Sequence, residues 1–156
     1  MAKRILLVGI GNIIRQDDGV GPYCISLLKA SIIAERKKLV DFFSVHQLDI
    51  TCCEYFANYS LIIFIDADAG KGGEPFILQE VGPGFGSRSF SSHIGSIPDL
   101  LSLTGRIYGK TPKAYIVAIR GSMFEVGDRL SALAHNNACK AVEQINRLID
   151  RAFPLC

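Results

Sequence analysis

The chain has 156 residues, of which 49% are hydrophobic and 21% are charged, and its formal net charge is +2. This size and composition are typical of one globular domain with a single hydrophobic core. Acidic and basic residues are mixed along the chain without a basic-aromatic stripe, so we expect no nucleic-acid partner. The longest cationic cluster, Arg36-Lys37-Lys38, is interpreted as the solvated end of a helix.

Three features of the sequence bear on cellular location. The apolar run that follows Lys3 and Arg4 stops at Gly9 and is too short for the apolar core of a signal peptide. No segment approaches the roughly 20 apolar residues that span a membrane. The five cysteines form no CxxC pair and suit reduced thiols. We therefore expect a cytoplasmic protein with no membrane partner. We also expect a monomer.

The hydrophobic pattern divides the chain into alternating strands and helices. Continuous apolar runs predict buried strands, and apolar residues at i, i+3, i+4 and i+7 predict amphipathic helices. In chain order, we predict a strand at 4–8, a helix at 19–35, a strand at 40–45, a helix at 52–59, a strand at 61–65, an edge strand at 76–79, an irregular segment at 81–92, a helix around 97–103, a strand at 114–119 and a helix at 130–149.

This alternation predicts the fold class. Strands separated by helices are typical of an α/β protein whose mostly parallel, twisted sheet carries helices on both faces. We predict one domain over residues 1–156, built as a three-layer sandwich. In such folds, ligands bind beyond the carboxyl ends of the strands. The segments expected at that edge are residues 9–21, Asp66 to Asp68, and His93 before the helix near residue 97.

The segment Gly9-Ile10-Gly11 follows a strand and is similar to a dinucleotide-binding fingerprint. However, Ile14 occupies the position of the third glycine. The predicted helix also starts near Asp18 rather than inside the glycine turn, so its N-terminus would not meet a pyrophosphate. We interpret the glycines as residues that permit a tight turn and close packing.

Three polar residues are candidates for a site at the sheet edge. Asp17 or Asp18 is expected to cap the helix that follows, and the second of the pair then needs another role. Asp66 ends the most apolar strand, where an unpaired carboxylate is costly, so it needs a hydrogen-bond partner or a cation. With His93, two carboxylates suit a divalent transition metal such as nickel or zinc. Their spacing matches no local metal motif, and structural roles stay possible.

Several segments resemble the hydrogenase maturation endopeptidases. Residues 8–12, Val-Gly-Ile-Gly-Asn, and residues 17–21, Asp-Asp-Gly-Val-Gly, resemble the family's N-terminal signature at the same spacing. Residues 61–67 are similar to its aliphatic strand that ends in Asp-Ala. Ser92-His93, followed by Asp99, is similar to its histidine loop and the next helix. The resemblance covers almost the whole chain.

The resemblance implies an activity and a set of site residues. Asp18, Asp66 and His93 would bind a nickel ion that belongs to the substrate, the precursor of a [NiFe]-hydrogenase large subunit. The protein would remove the C-terminal extension of that precursor, with Asp18, Asp66 and His93 as its catalytic residues and with no organic cofactor. Metal polarisation of a carbonyl or a water would replace a conventional nucleophile. Asp17 or Asp68 is a candidate general base.

Two segments depart from the family pattern. The family often has Gly-Gly-Thr after its second strand, where this chain has residues 49–51, Asp-Ile-Thr. Many members have Gly-x-Gln-Pro after the fifth strand, where residues 118–121 read Ala-Ile-Arg-Gly. These departures leave open which precursor is cut.

A non-proteolytic nucleotide- or metal-binding α/β module is the alternative function.

Overall fold

The helices and strands of the protein follow the alternation that its hydrophobic pattern predicts. We obtained a computed structural model, and it describes residues 4–84 and 97–155. The elements are β1 (Ile5–Ile10), a 3-10 turn (Gln16–Gly19), α1 (Val20–Ser31), α2 (Ala34–Lys37), β2 (Val40–Val45), α3 (Cys52–Phe56), β3 (Leu61–Asp68), β4 (Phe76–Val81), α4 (Ile97–Tyr108), β5 (Lys113–Arg120) and α5 (Ala132–Ala152). The predicted irregular segment 81–92 lies mostly outside the described residues.

The strands form one sheet in the order β2-β1-β3-β5-β4. β2, β1, β3 and β5 are parallel, and β4 pairs antiparallel with β5 at the edge. Helices α1 and α5 pack on one face of the sheet, and α3 and α4 pack on the other. The predicted single α/β domain with three layers is confirmed. No helix in the described part of the chain is long and apolar enough to cross a membrane.

Strand β3 lies at the centre of the sheet and organises both halves of the core. Residues 61–67 are all buried. Ile63 and Ile65 face the α1/α5 layer, whereas Ile62 and Phe64 face the α3/α4 layer. Because strand side chains alternate between faces, Asp66 projects toward the α3/α4 side.

The carboxyl ends of two strands extend further than predicted. β1 continues to Ile10 and β3 continues to Asp68. Parallel pairing with β5 places Asp66 opposite Ala118 and Asp68 opposite Arg120. This pairing provides hydrogen-bond partners for the backbone N–H and C=O groups of residues 66–68. Asp66 therefore lies within a strand rather than just after one.

Helix α1 is shorter than the predicted helix 19–35. It ends at Ser31, and the next two residues, Ile32 and Ile33, have extended backbone conformations before α2 begins. Ile32 is 4% exposed and packs into the core, while Ile33 points outward. Two adjacent β-branched residues are poor helix formers, and burial of Ile32 favours the break.

Arg36 contradicts the interpretation of residues 36–38 as a solvated helix end. Its side chain is buried, its Nε lies 2.9 Å from Oδ1 of Asp150, and its Nη1 donates to the carbonyl of Phe153. The guanidinium therefore joins α2 to the C-terminal end of α5, whose last carbonyls lack partners within the helix. Lys37 and Lys38 are exposed, as expected.

We expect Arg36→Met to lower the free energy of unfolding by about 2 kcal/mol, because the α5 carbonyls and Asp150 lose a charged donor. Asp150 is more exposed, so Asp150→Asn is expected to cost less than about 1 kcal/mol. Urea denaturation of both variants measures the difference. Equal losses would show that the ion pair, and not the carbonyl contact, carries the effect.

Candidate active site

The turn after β1 is packed closely against α1. A Cβ at Gly9 would lie 2.6 Å from Cγ1 of Ile25, and one at Gly11, whose φ is +146°, would lie 1.8 Å from the backbone oxygen of Asp18. A Cβ at Gly21 would lie 2.5 Å from the carbonyl oxygens of both Ile10 and Ile65. The glycines therefore bring the start of α1 directly onto the carboxyl ends of β1 and β3.

Asp18 lies in the 3-10 turn and is partly buried. Its Oδ2 accepts a hydrogen bond of 2.8 Å from the backbone N–H of Asn12. Gly19 is the N-cap of α1, with no side-chain cap, so the prediction that Asp18 caps this helix is wrong. The carboxylate already takes an amide of the glycine turn that a bound phosphate would need, which argues against a dinucleotide at this turn.

Asp17 also does not cap α1, because its carboxylate is directed to a distant segment. It is fully buried and accepts hydrogen bonds from the backbone N–H groups of Ser122 (2.7 Å), Met123 (3.0 Å) and Ser131 (2.7 Å). The Ser131 hydroxyl donates a fourth bond at 2.7 Å. Ser131 Oγ in turn accepts from the N–H of Ala134 and caps α5.

These contacts determine what Asp17 can do. Burial raises the pKa of its carboxyl, but the hydrogen bonds from Ser122, Ser131 and Met123 outweigh burial, and the pKa lies below its ordinary value of 3.8. A buried carboxylate with four donors and a lowered pKa is a poor general base. Asp17 instead holds residues 122–131 against the 3-10 turn that carries Asp18.

The lowered pKa predicts how stability depends on pH. The contribution of the Asp17 carboxylate to the free energy of unfolding is fully present above the unfolded-state pKa of about 4. It is lost as the pH falls through the lower pKa of the folded state. We therefore expect the difference in unfolding free energy between wild type and Asp17→Asn to shrink from about pH 7 to about pH 2.5. Urea unfolding at both pH values measures this, and a difference that does not change with pH would contradict the assignment.

Asp66 lies at the same sheet edge as Asp18. It is fully buried, and its Oδ1 accepts a hydrogen bond of 2.7 Å from the N–H of Ala67. The 3-10 turn packs against β3, and Gly21 approaches Ile65, the residue before Asp66. The chain folding thus brings two of the three predicted site residues to one edge.

His93 belongs to the segment 85–96 and lies outside the described residues. Helix α4 begins at Ile97, which is buried in the same apolar cluster as Phe64. This helix packs on the face of the sheet toward which Asp66 projects. Within residues 4–84 and 97–155, no three His, Cys, Asp or Glu side chains form a group that could hold a metal ion. A shared metal site of Asp18, Asp66 and His93 stays a prediction.

A cation that the sequence argument did not select also lies at this edge. Arg120 ends β5 opposite Asp68, on the face that Asp66 shares. Its Nε is buried and has no hydrogen-bond partner among the described residues, and its Nη2 would lie 2.7 Å from a Cβ at Gly72. Asp68 accepts a hydrogen bond of 2.9 Å from the N–H of Gly70. In the sequence, Arg120 directly follows the apolar strand run 114–119, and this position is the feature that could have identified it as a candidate site residue.

No protein-family model matches the chain, and no curated protein matches it. Several solved structures match the chain. The hydrogenase maturating endopeptidase HybD from E. coli matches with a TM-score of 0.78 and 21% identity over 96% of this chain and 93% of that one. The [NiFe] hydrogenase maturation protease HycI from Thermococcus kodakarensis KOD1 matches with a TM-score of 0.71 and 22% identity over 95% and 93%.

A third structure agrees with these two. The [NiFe] hydrogenase maturation protease HybD from Thermococcus kodakarensis matches with a TM-score of 0.67 and 22% identity over 94% of this chain and 99% of that one. In each case the match covers nearly the full length of both chains, so it describes the whole architecture and not one motif. The chain has the fold of the hydrogenase maturation endopeptidases.

Proposed function

We propose that the protein is an endopeptidase that removes the C-terminal extension of a nickel-loaded [NiFe]-hydrogenase large-subunit precursor. The observation that carries the proposal is the position of Asp18 and buried Asp66 at the same carboxyl edge of the sheet, in a chain with the fold of the hydrogenase maturation endopeptidases. In this proposal, the carboxylate of Asp66 serves to bind a cation at the end of the apolar strand β3.

In this proposal, Asp18, Asp66 and His93 contact the nickel of the substrate. Carboxylate oxygens and an imidazole nitrogen are suitable ligands for a divalent transition ion. The backbone N–H groups of Asn12 and Ala67 hold the carboxylates of Asp18 and Asp66 in place. Groups that are oriented before binding lose less conformational freedom when the substrate arrives.

The proposed reaction needs no nucleophilic side chain. With the nickel held at the sheet edge, the peptide bond beside it is positioned for cleavage, and the metal polarises its carbonyl or an attacking water. Asp68 is the remaining candidate for a general base, since the oxygens of Asp17 are already occupied. The proposal places the reaction in the cytoplasm and assigns it to a monomer.

The test is incubation of the purified protein with a nickel-loaded precursor, followed by intact-mass measurement. An endopeptidase releases one C-terminal fragment and leaves one new C-terminus. The alternative, a binding module, leaves the precursor intact. Calorimetry with a nickel salt and with a dinucleotide separates the two kinds of binding module. An uncut precursor together with saturable dinucleotide binding would overturn the proposal.

A further inference from the structure

A second group of ligand-type side chains lies on the α1/α5 layer, on the opposite face of the sheet from the side chain of Asp66. His135 and Cys139 are four residues apart on α5, and both are exposed. Residues at this spacing lie one above the other on the same helix face. Cys24, Cys52 and Cys53 are buried, so Cys139 is the exposed thiol among the described cysteines.

The distance between the two ligand atoms suits a shared metal ion. His135 Nε2 lies 4.0 Å from Cys139 Sγ. A zinc ion binds imidazole nitrogen at about 2.0–2.1 Å and thiolate sulfur at about 2.3 Å, so the two ligand atoms lie about 3.6 Å apart at the tetrahedral angle. The observed separation is within about 0.5 Å of that distance, a gap that small side-chain rotations close without movement of the helix backbone. It is too long for a strong hydrogen bond between the thiol and the ring.

Tyr23, on the neighbouring helix α1, orients the imidazole. Its hydroxyl oxygen lies 2.9 Å from His135 Nδ1, and the two ring centroids are 5.7 Å apart. When Nδ1 carries the ring proton, it donates to the Tyr23 oxygen and leaves the Nε2 lone pair on the side of Cys139. Metal-binding histidines are held in this way by an acceptor at their second ring nitrogen.

We propose that His135 and Cys139 form a binding site for a borderline divalent ion of the Zn²⁺ type, with Tyr23 as the positioning residue for the histidine. Water occupies the remaining positions around the ion, as the exposure of both ligands allows. Binding releases the thiol proton to solvent and leaves a thiolate ligand. The site does not depend on the proposed peptidase function, because its residues belong to the other helical layer.

Cobalt(II) is the probe, since a cobalt–thiolate bond gives a charge-transfer absorption that other ligands do not give. The full chain with Cys156→Ser is titrated with Co²⁺, and Zn²⁺ is then added in competition. We expect a saturable band that Zn²⁺ removes. Cys139→Ser should abolish the band and His135→Gln should weaken binding strongly, while Tyr23→Phe should weaken it about tenfold. His135 and Cys139 are exposed, so their substitutions are expected to leave folding unchanged, and Tyr23→Phe keeps the ring that packs against the core.

Alkylation of Cys139 with iodoacetamide gives an independent readout. Zn²⁺ should slow alkylation in the Cys156→Ser protein, a chelator should restore the rate, and His135→Gln should remove the protection while Cys139 remains reactive. An unchanged cobalt band in Cys139→Ser would overturn the proposal. Zinc protection that is equal with and without His135 would also overturn it, since the thiol would then act alone.

Discussion

Asp66→Ala is expected to lower the rate of precursor processing by at least about a hundredfold. Loss of a residue that only orients a metal ligand already costs about 10- to 100-fold, so loss of a direct ligand should cost more. Asp66→Asn should be almost as inactive, because an amide of the same volume loses the charge that favours the cation. The measurement is single-turnover cleavage of the nickel-loaded precursor, followed by mass.

Two controls separate chemistry from folding in this experiment. Glu80 is exposed on β4, and Glu80→Ala should cleave at the wild-type rate. Because Asp66 is fully buried, its variants must first show a cooperative thermal transition. A folded Asp66→Asn protein that processes the precursor at the wild-type rate would show that Asp66 is not a ligand of the substrate nickel.

Asp17→Asn is expected to lower the free energy of unfolding by about 3 kcal/mol, which is a large share of the stability of a small domain. The asparagine has one acceptor oxygen where the carboxylate accepts from Ser122, Met123 and Ser131, and its NH₂ group faces donors. Asp18 accepts one hydrogen bond among the described residues, from Asn12, and the amide oxygen of Asp18→Asn can still accept it, so this variant should cost less than about 1 kcal/mol.

Urea denaturation at neutral pH compares these two adjacent aspartates. The expected pattern is reciprocal: Asp17→Asn reduces stability more than Asp18→Asn, while Asp18→Asn reduces the processing rate per folded molecule more than Asp17→Asn. Equal losses of stability would contradict the role of Asp17 as the residue that holds segment 122–131. If folded Asp17→Asn lost more of the processing rate than folded Asp18→Asn, Asp17 would again be a candidate for the general base.

The strands could be predicted because a strand that is buried on both faces has a continuous run of apolar residues in its sequence. The run at 61–65 is continuous and apolar, and it forms the central strand β3. The edge strand was also predicted, since residues 76–79 follow an obvious loop. The end of α1 before Ile32 was not predicted. The spacing of apolar residues does not show that the backbone becomes extended here, with Ile32 buried and Ile33 exposed.

The place of two candidate site residues could be predicted from the topology. Asp18 and Asp66 lie at the same sheet edge because parallel strands present their carboxyl ends together. The role of Asp17 could not be predicted, because its partners lie more than 100 residues away along the chain. Arg36 was misread in the same way, since its partners are at the end of α5. The roles of the site residues rest on the family resemblance, and His93 lies outside the described residues.

The most direct test of the central claim uses one precursor preparation, divided into nickel-loaded and nickel-free portions. Each portion is incubated with wild type and with Asp18→Ala, and the C-terminal fragment is quantified by mass over time. The proposed function predicts release of a single fragment only when wild type meets the nickel-loaded portion. Cleavage of the nickel-free precursor at the same rate, or equal cleavage by Asp18→Ala, would contradict recognition through the substrate nickel.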